Sequence, residues 1–590
     1  MRERWKEISL FRFRKAIPLI LSYEFVMKLF IAACLGVLRL LTGSLLWVAG
    51  KPAITSSDVP FLLRTWQGWL ILLLGLAALI VYTVFDLNAM ILLSRNILYQ
   101  ENRKTKDIVK EAFRKGRKLL NLPGILIVLF VSFFVPLCGA GLGISLTSTF
   151  VIPDFILSVI QANVFTRALY FGTLLVLAVF AWRHIFFFHE LVLEDKDVRD
   201  SYRDSALLMK AHHRSINIRY FRYLFRTGLV WILILLICGF VPLVVLEMFT
   251  LETVKHRFCM LLIMYVCSAV LGVYSLLFGP FQIMRLTMIF DGYEEPEKKV
   301  QYSYRRPGWK SFLVCVLILG CCVGLAWICA THFDEVFPLE SETEIISHRG
   351  GGSMSTENTV ESLEAAVEVG AYASEIDVQR TSDGYYIVNH DTTFERLTGD
   401  SRKPSEMTLA EVKELRITAE DGHEVEVASF EEMLDAAKDR IVLYVELKGE
   451  SADAQMVDDL YALVKEKGML DQVYFISLDY DVIAYTEEVY PEVNTVYLCY
   501  YTYGNIAGLD ADGFGLEAES CTRENIDKIH EAGKRVDVWT CNADSTLMHF
   551  ILSRADGIIT DEAPAAIRIM EELQNRSDLL RVLYAFVLDI

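Results

Sequence analysis

Seven mostly apolar stretches of roughly 20 or more residues, 25–48, 66–93, 123–148, 168–188, 228–249, 259–284 and 311–330, fill the first half of this 590-residue chain. Coiled as a helix, a run of that length matches the hydrocarbon thickness of a bilayer. Residues 1–332 are therefore expected to form an all-α polytopic membrane domain of about seven spanning helices. The excess that brings the chain to 53% hydrophobic residues and a mean hydropathy of +0.35 lies in this part. The first run begins as early as Ile17, which leaves its leading part open to an interfacial helix.

Loop charges give the direction, because cytoplasmic loops are enriched in Lys and Arg. The N-terminal arm holds Arg2, Arg4, Lys6, Arg12, Arg14 and Lys15, and the second loop holds nine basic residues from Arg95 to Lys118. The fourth loop is also basic, as is the sixth with Lys298, Lys299, Arg305, Arg306 and Lys310. The odd-numbered loops are poor, with Lys51 and Arg64, then essentially none, then Lys255 and Arg257. The N-terminus is thus expected in the cytoplasm, and everything beyond Thr331 outside it. No small-residue cleavage pattern follows the first apolar run, so a cleavable signal is not expected. Lys28, Arg39, Asp86 and Arg183, in or near spans, could mark a pathway or a lipid headgroup site, but snorkelling to the interface is the favoured reading; no inverted repeat argues for a transporter.

Charge divides the chain at the same place. Up to Thr331 lie 37 of the 57 Lys and Arg but only 21 of the 75 Asp and Glu, so that part carries +16 and the remainder −34. A nucleic-acid partner is not expected for the acidic part, which would repel a polyanion unless metal ions intervened. The remainder has only Cys499, Cys521 and Cys541, an odd count without CxxC spacing, which suggests buried small hydrophobes rather than a disulfide framework or a zinc site.

After a linker over 333–343, the pattern becomes short β-rich runs alternating with helical stretches over 344–570, the size of one α/β (β/α)8 barrel. Candidate strands are 345–349, 374–378, 385–390, 441–447, 473–477, 495–499, 513–517, 536–540 and 557–560. Nine runs exceed eight, and QRTSDGY between the second and third is too short for a crossover helix, so the barrel is expected to be irregular there. The segment 571–590 ends in a mostly apolar stretch of twelve residues, too short to span; packing on the barrel or on the membrane surface are both open, and packing on the barrel is expected.

In such barrels chemistry gathers at the C-terminal strand ends. Polar residues interrupt the apolar runs there: His348 and Arg349, Glu375 and Asp377, His390 and Asp391, Glu446 and Lys448. Glu375 and Asp377 are two apart, so both leave one face of a strand. Carboxylates buried on a strand are costly unless paired or metal-bound. A single pair could be an ordinary salt bridge, but Glu375, Asp377 and Glu446 together suit an all-oxygen site for one divalent cation, Ca²⁺ or Mg²⁺. Two histidines beside it suit acid–base phosphoryl chemistry, with the cation and Arg349 neutralising charge on phosphate. Gly350–Gly352 would let backbone approach that phosphate. Glu357 and Asn358 precede a helix, as caps or as support for the site.

HRGG followed by ENT, then EIDVQRTSDGYYIVNHD, VELKG, VWTCN and ADGIITDEAP, in this order, resembles the bacterial glycerophosphodiester phosphodiesterases, in the form with an N-terminal multi-span membrane domain. The resemblance implies metal-dependent hydrolysis of a glycerophosphodiester, or a glycerophospholipid-type substrate, to sn-glycerol 3-phosphate and an alcohol at a bacterial cell membrane. It makes His348 and His390 the acid–base pair, Glu375, Asp377 and Glu446 the metal ligands, and Arg349 and Lys448 phosphate contacts. Trp539 would line the glycerol end of the pocket, or serve only as a core aromatic at the barrel mouth. The glycerol hydroxyl would attack first, giving a cyclic phosphate that water opens. Thr356 stands where proline or histidine is common, and Leu478 where phenylalanine is usual after the serine. Competing readings are a headgroup sensor with an inactive barrel, and a lipid or polymer transporter feeding the phosphodiesterase. The alcohol and the oligomeric state are not legible.

Overall fold

The computed structural model describes residues 16–101, 103–134, 157, 160, 163–297, 309–337, 342–419, 421–574 and 577–588. These fall into two compact units, and the division differs from a simple cut near residue 332. Residues Gly43–Trp69, which join the first two long helices, cluster with the C-terminal part and not with the helices.

In the membrane unit six helices among the described residues are long and apolar enough to cross a bilayer: Ile17–Val48, Trp66–Tyr99, Val164–Leu193, Val198–Leu246, Thr253–Glu294 and Phe312–Thr331. The third expected span is different. Its beginning is one arm of a bent pair, Thr105–Leu119 and Leu122–Phe133, meeting at 110°, and from residue 135 onward it lies outside the described residues. The bend has local causes. Asn121 caps the second arm by accepting from the Gly124 amide at 2.9 Å, with Pro123 in its first turn, where a missing N–H costs nothing. A Cβ at Gly124 would lie 2.4 Å from the Leu119 carbonyl oxygen, so only glycine lets the arms approach.

The barrel unit contains thirteen described strands: β1 (Ala53–Thr55), β2 (Glu344–Ser347), β3 (Ala373–Arg380), β4 (Tyr386–Val388), β5 (Arg416–Thr418), β6 (Glu424–Glu426), β7 (Val442–Leu447), β8 (Val473–Ser477), β9 (Asn494–Cys499), β10 (Thr502–Gly504), β11 (Gly513–Glu517), β12 (Arg535–Trp539) and β13 (Gly557–Thr560). Eight of them run parallel in the order β2-β13-β12-β11-β9-β8-β7-β3, and β2 pairs with β3 to close the ring, Ile346 opposite Ala373. The fold is a TIM-type barrel. The ninth expected run is β4, which pairs antiparallel to β3 outside the ring, Val388 opposite Val378. Five residues join them, enough for a hairpin and too few for a crossover.

Alternation fills the barrel on both sides of its wall. Ile346, Tyr444, Ile476, Val496 and Ile559 form one cluster, while Val378, Leu443, Val445 and Phe475 pack against helices such as Phe430–Ala437. Cys499, Cys521 and Cys541 are buried within the packing. The C-terminal segment forms a helix, Asp578–Leu588, whose Arg581 donates to the Phe337 carbonyl.

Candidate active site

The β2 strand delivers His348 and Arg349 at its C-terminal end, β3 carries Glu375 and Asp377, and β7 carries Glu446 with Lys448 just beyond it. Pairing of β3 with β7 sets Asp377 directly opposite Glu446. One oxygen from each of Glu375, Asp377 and Glu446 lies within 4.8 Å of the others, and all three residues are buried.

Three carboxylates this close need compensation. Lys448 supplies part of it, donating to Asp377 at 2.9 Å and to Glu446 at 3.1 Å. Burial nonetheless pushes the carboxyl of Glu375 well above the usual range, and the charge of Asp377 adds to the shift. Glu446 is likewise raised by burial, with Lys448 opposing. Burial acts on Asp377 too, but Lys448, His390 and Arg349 hold it below the usual carboxylate range. Glu375 Oε1 is buried without a hydrogen-bond partner among the described residues. A second charged cluster in the same barrel, built on the buried Asp537 with half-buried Arg535 and Glu344, shows the contrast. There Arg535 meets both Asp537 at 2.8 Å and Glu344 at 2.6 Å, and the Tyr444 hydroxyl donates to the other oxygen of Asp537 at 3.2 Å. The triad, with three carboxylates to one lysine and an orphaned oxygen, fits a divalent cation held by oxygen ligands.

Each histidine has its Nδ1 on a carboxylate. His348 donates to Asp561 at 2.7 Å, and Asp561 also accepts from Asn542 at 2.5 Å. His390 donates to Asp391 at 2.9 Å, and Arg396 bonds the other oxygen of that carboxylate at 2.6 Å. Both rings are thereby oriented with Nε2 left for other work. The two are displaced oppositely: burial works against charge on both, but Asp561 and Glu375 raise His348, whereas His390 is lowered.

The glycine run packs closely against the strands and loops beside it. The amides of Arg349 and Gly350 donate to the side chain and the backbone of Glu375, at 2.8 and 2.6 Å, and that of Gly352 to the His348 carbonyl at 2.7 Å. A Cβ at Gly350 would fall 1.9 Å from Ser362 Oγ, and one at Gly352 would fall 2.3 Å from the Asp561 carbonyl oxygen. The glycines let this loop nest against its own neighbours. Asn358 does not cap the next helix; Thr359 does. Asn358 instead donates to Asp377 at 2.7 Å from a left-handed conformation. Glu357 accepts from Arg349 at 3.2 Å and from Arg396 at 2.5 and 2.9 Å. Trp539 ends β12, donates to the Gly515 carbonyl at 2.8 Å and packs against the interior cluster.

Sequence reasoning missed Asp561, Asn542 and Arg396 as partners. Asp561 immediately follows β13, so the strand-end rule that found the others would have found it too. Arg396 lies on a short helix with no such signal.

The model of the "Glycerophosphoryl diester phosphodiesterase family" matches residues 348–564, and that of the "Membrane domain of glycerophosphoryl diester phosphodiesterase" matches residues 7–326. A glycerophosphodiester phosphodiesterase of Caldanaerobacter subterraneus is 24% identical over 240 residues, covering 39% of this chain and 99% of the relative. One from Bacillus altitudinis is 24% identical over 244 residues, covering 39% of this chain and 100% of the relative. Among solved structures, an Oleispira antarctica phosphodiesterase in complex with the product sn-glycerol-3-phosphate is 23% identical, with a TM-score of 0.36 over 39% of this chain and 96% of that one.

Proposed function

Because the chain belongs to the glycerophosphoryl diester phosphodiesterase family, membrane domain included, we propose that it hydrolyses glycerophosphodiesters to sn-glycerol 3-phosphate and an alcohol, using one divalent cation, Ca²⁺ or Mg²⁺, at Glu375, Asp377 and Glu446. The observation that carries this reading is the meeting of three buried carboxylates, one of them with an orphaned oxygen, with two carboxylate-oriented histidines at the same barrel end.

A cation held there supplies charge stabilisation for the phosphate oxygens. Arg349, whose Nε lacks a partner among the described residues, and Lys448 add fixed positive charge beside it. His348 and His390 exchange protons with the attacking and leaving oxygens through Nε2. Asp561 and Asp391 hold those rings in one tautomer and support the imidazolium when it forms. Trp539 lines the glycerol end of the pocket. The substrate is a diester derived from membrane lipid or wall polymer.

The barrel acts outside the cytoplasm of a bacterial cell. Support comes from the antiparallel pairing of β1, in the first loop, with β10 of the barrel. That pairing requires an even number of crossings between the two, which agrees with seven spans in all and disagrees with six. The scarcity of Lys and Arg in the first loop supports the outer side.

The test is release of sn-glycerol 3-phosphate from a panel of diesters by the full-length protein with Ca²⁺, Mg²⁺ or chelator, alongside His348→Ala and His390→Ala. Release is expected to require the cation and to fall about 10²–10⁴-fold in each variant. Undiminished release in chelator, or in both variants, would overturn the reading.

A further inference from the structure

Residues 50–61, which the sequence presents as a plain loop after the first long apolar helix, have a built seat in the barrel unit. β1 adds to β10 with Ala53 opposite Gly504 and Thr55 opposite Thr502, and the Asn505 amide donates to the Pro52 carbonyl at 3.0 Å. The buried Tyr497 hydroxyl lies 2.8 Å from Thr55 Oγ1 and 2.9 Å from Ser57 Oγ. Asp58 folds the segment on itself, accepting from the Thr55 amide at 2.8 Å and from Lys51 at 2.5 Å. The barrel side is shaped to receive it. A Cβ at Gly504, at φ +112°, would sit 2.9 Å from the Pro52 carbonyl oxygen, and one at Gly508 would sit 3.1 Å from the Pro52 side chain.

Between this segment and the barrel lies a cleft of about 850 Å³ that reaches Glu446 and Lys448. Its other lining comes from the ends of β7 and β8, including Ser477, Asp479 and Asp481. In the ring of eight strands, β7 stands four places from β12, diametrically across from Trp539. Resting on the reaction proposed above, a diester with its phosphate at Lys448 and its glycerol toward Trp539 extends its other half into this cleft.

The cleft's charges are uneven. Lys448 is engaged by the triad and Lys51 by Asp58. Asp479 and Asp481, exposed at the start of the helix Tyr480–Val489, pair with no Lys or Arg among the described residues. We propose that residues 51–61 form the outer wall of the subsite for the alcohol half of the diester, and that the rim carboxylates of Asp479 and Asp481 favour alcohols that are neutral or bear an ammonium group over those bearing a carboxylate. The wall is the specificity element; the chemistry stays with the triad and the histidines.

The experiment compares glycerophosphocholine with glycerophosphoserine as substrates of the full-length protein, and measures competitive inhibition by sn-glycerol 3-phosphate, which has no alcohol half. The wild type is expected to prefer the choline diester in kcat/KM. Asp479→Asn with Asp481→Asn, exposed and near-isosteric changes, is expected to shrink that preference by about three- to tenfold, as two partly screened rim charges allow. Phe61→Ala and Lys51→Ala are expected to raise KM for the diesters while the inhibition constant of sn-glycerol 3-phosphate stays within about twofold, because the product does not reach the wall. An unchanged preference in the double variant, or parallel loss of diester and product binding in the wall variants, would overturn this inference alone. No release from either diester by the wild type would instead overturn the reaction it rests on.

Discussion

Leu175 on the membrane helix Val164–Arg183 is 65% exposed, while Leu443 on β7 is fully buried, and each is typical of its unit. The same side chain faces outward in one region and inward in the other because hydrocarbon tails surround the first and water the second. Polar groups reverse in the same way. In the barrel the charged residues at the strand ends converge on a site, whereas in the membrane unit charges are dispersed, some at helix ends and loops, where Lys115 and Lys118 share Asp195 at 2.6 and 2.7 Å, and some within helices, where Asp86 accepts from the Tyr23 hydroxyl at 3.2 Å. A charge is informative about chemistry only once the medium around it is known. In a strand end buried on all sides, a carboxylate must be answered by another group; at a membrane rim it can simply meet water.

That contrast can be broken or sharpened at four places. Glu375→Ala with Asp377→Ala is expected to abolish cation binding by calorimetry and to lower turnover more than about 10³-fold, beyond the 10–100-fold that loss of an outer partner costs. Leu443→Ala is expected to destabilise the barrel by about 2–5 kcal/mol in denaturant or thermal unfolding, through lost transfer energy and an unfilled cavity. Asp561→Asn is expected to lower turnover about 10–100-fold while leaving cation affinity near that of the wild type, because Asp561 bonds His348 and lies outside the cluster of Glu375, Asp377 and Glu446. Leu175→Ala, measured by thermal unfolding in lipid nanodiscs, is expected to stay within about 1 kcal/mol, since lipid fills the space. Equal losses at Leu443 and Leu175 would mean that Leu175 is covered by protein and that the contrast is false.

Much of this is legible in the sequence, for reasons that differ by element. Parallel barrel strands such as 441–447 are continuous apolar runs, so a polar residue at their ends stands out; this is why His348, Glu375, Asp377 and Glu446 can be read before any coordinates. The hairpin β3–β4 announces itself only as a link too short to cross. Arg396 carries no local signal, because its role comes from reaching Glu357 and Asp391 in space. Least legible is β1: three residues have no measurable period, and their partners lie more than 400 positions away. The break at Asn121–Gly124 was equally hidden, because hydropathy averages over a cap that acts through one hydrogen bond.

The distance between β1 and its partners carries a cost in time. Ser57 waits for Tyr497, 440 residues further along the chain. At about 5–20 residues per second that interval is roughly 20–90 s of synthesis. Throughout it, the early segment has left the first helix and stands without the strand it will join. Its apolar Ala53 and Ile54 and the edge they present must be kept from other strands until the far end of the chain arrives. The segment is short, and Pro52 and Pro60 flank it, which limits what else it can pair with while it waits. Assembly of the barrel is thus a late event that captures one of the earliest pieces made, and the order of manufacture is the reverse of the order of docking.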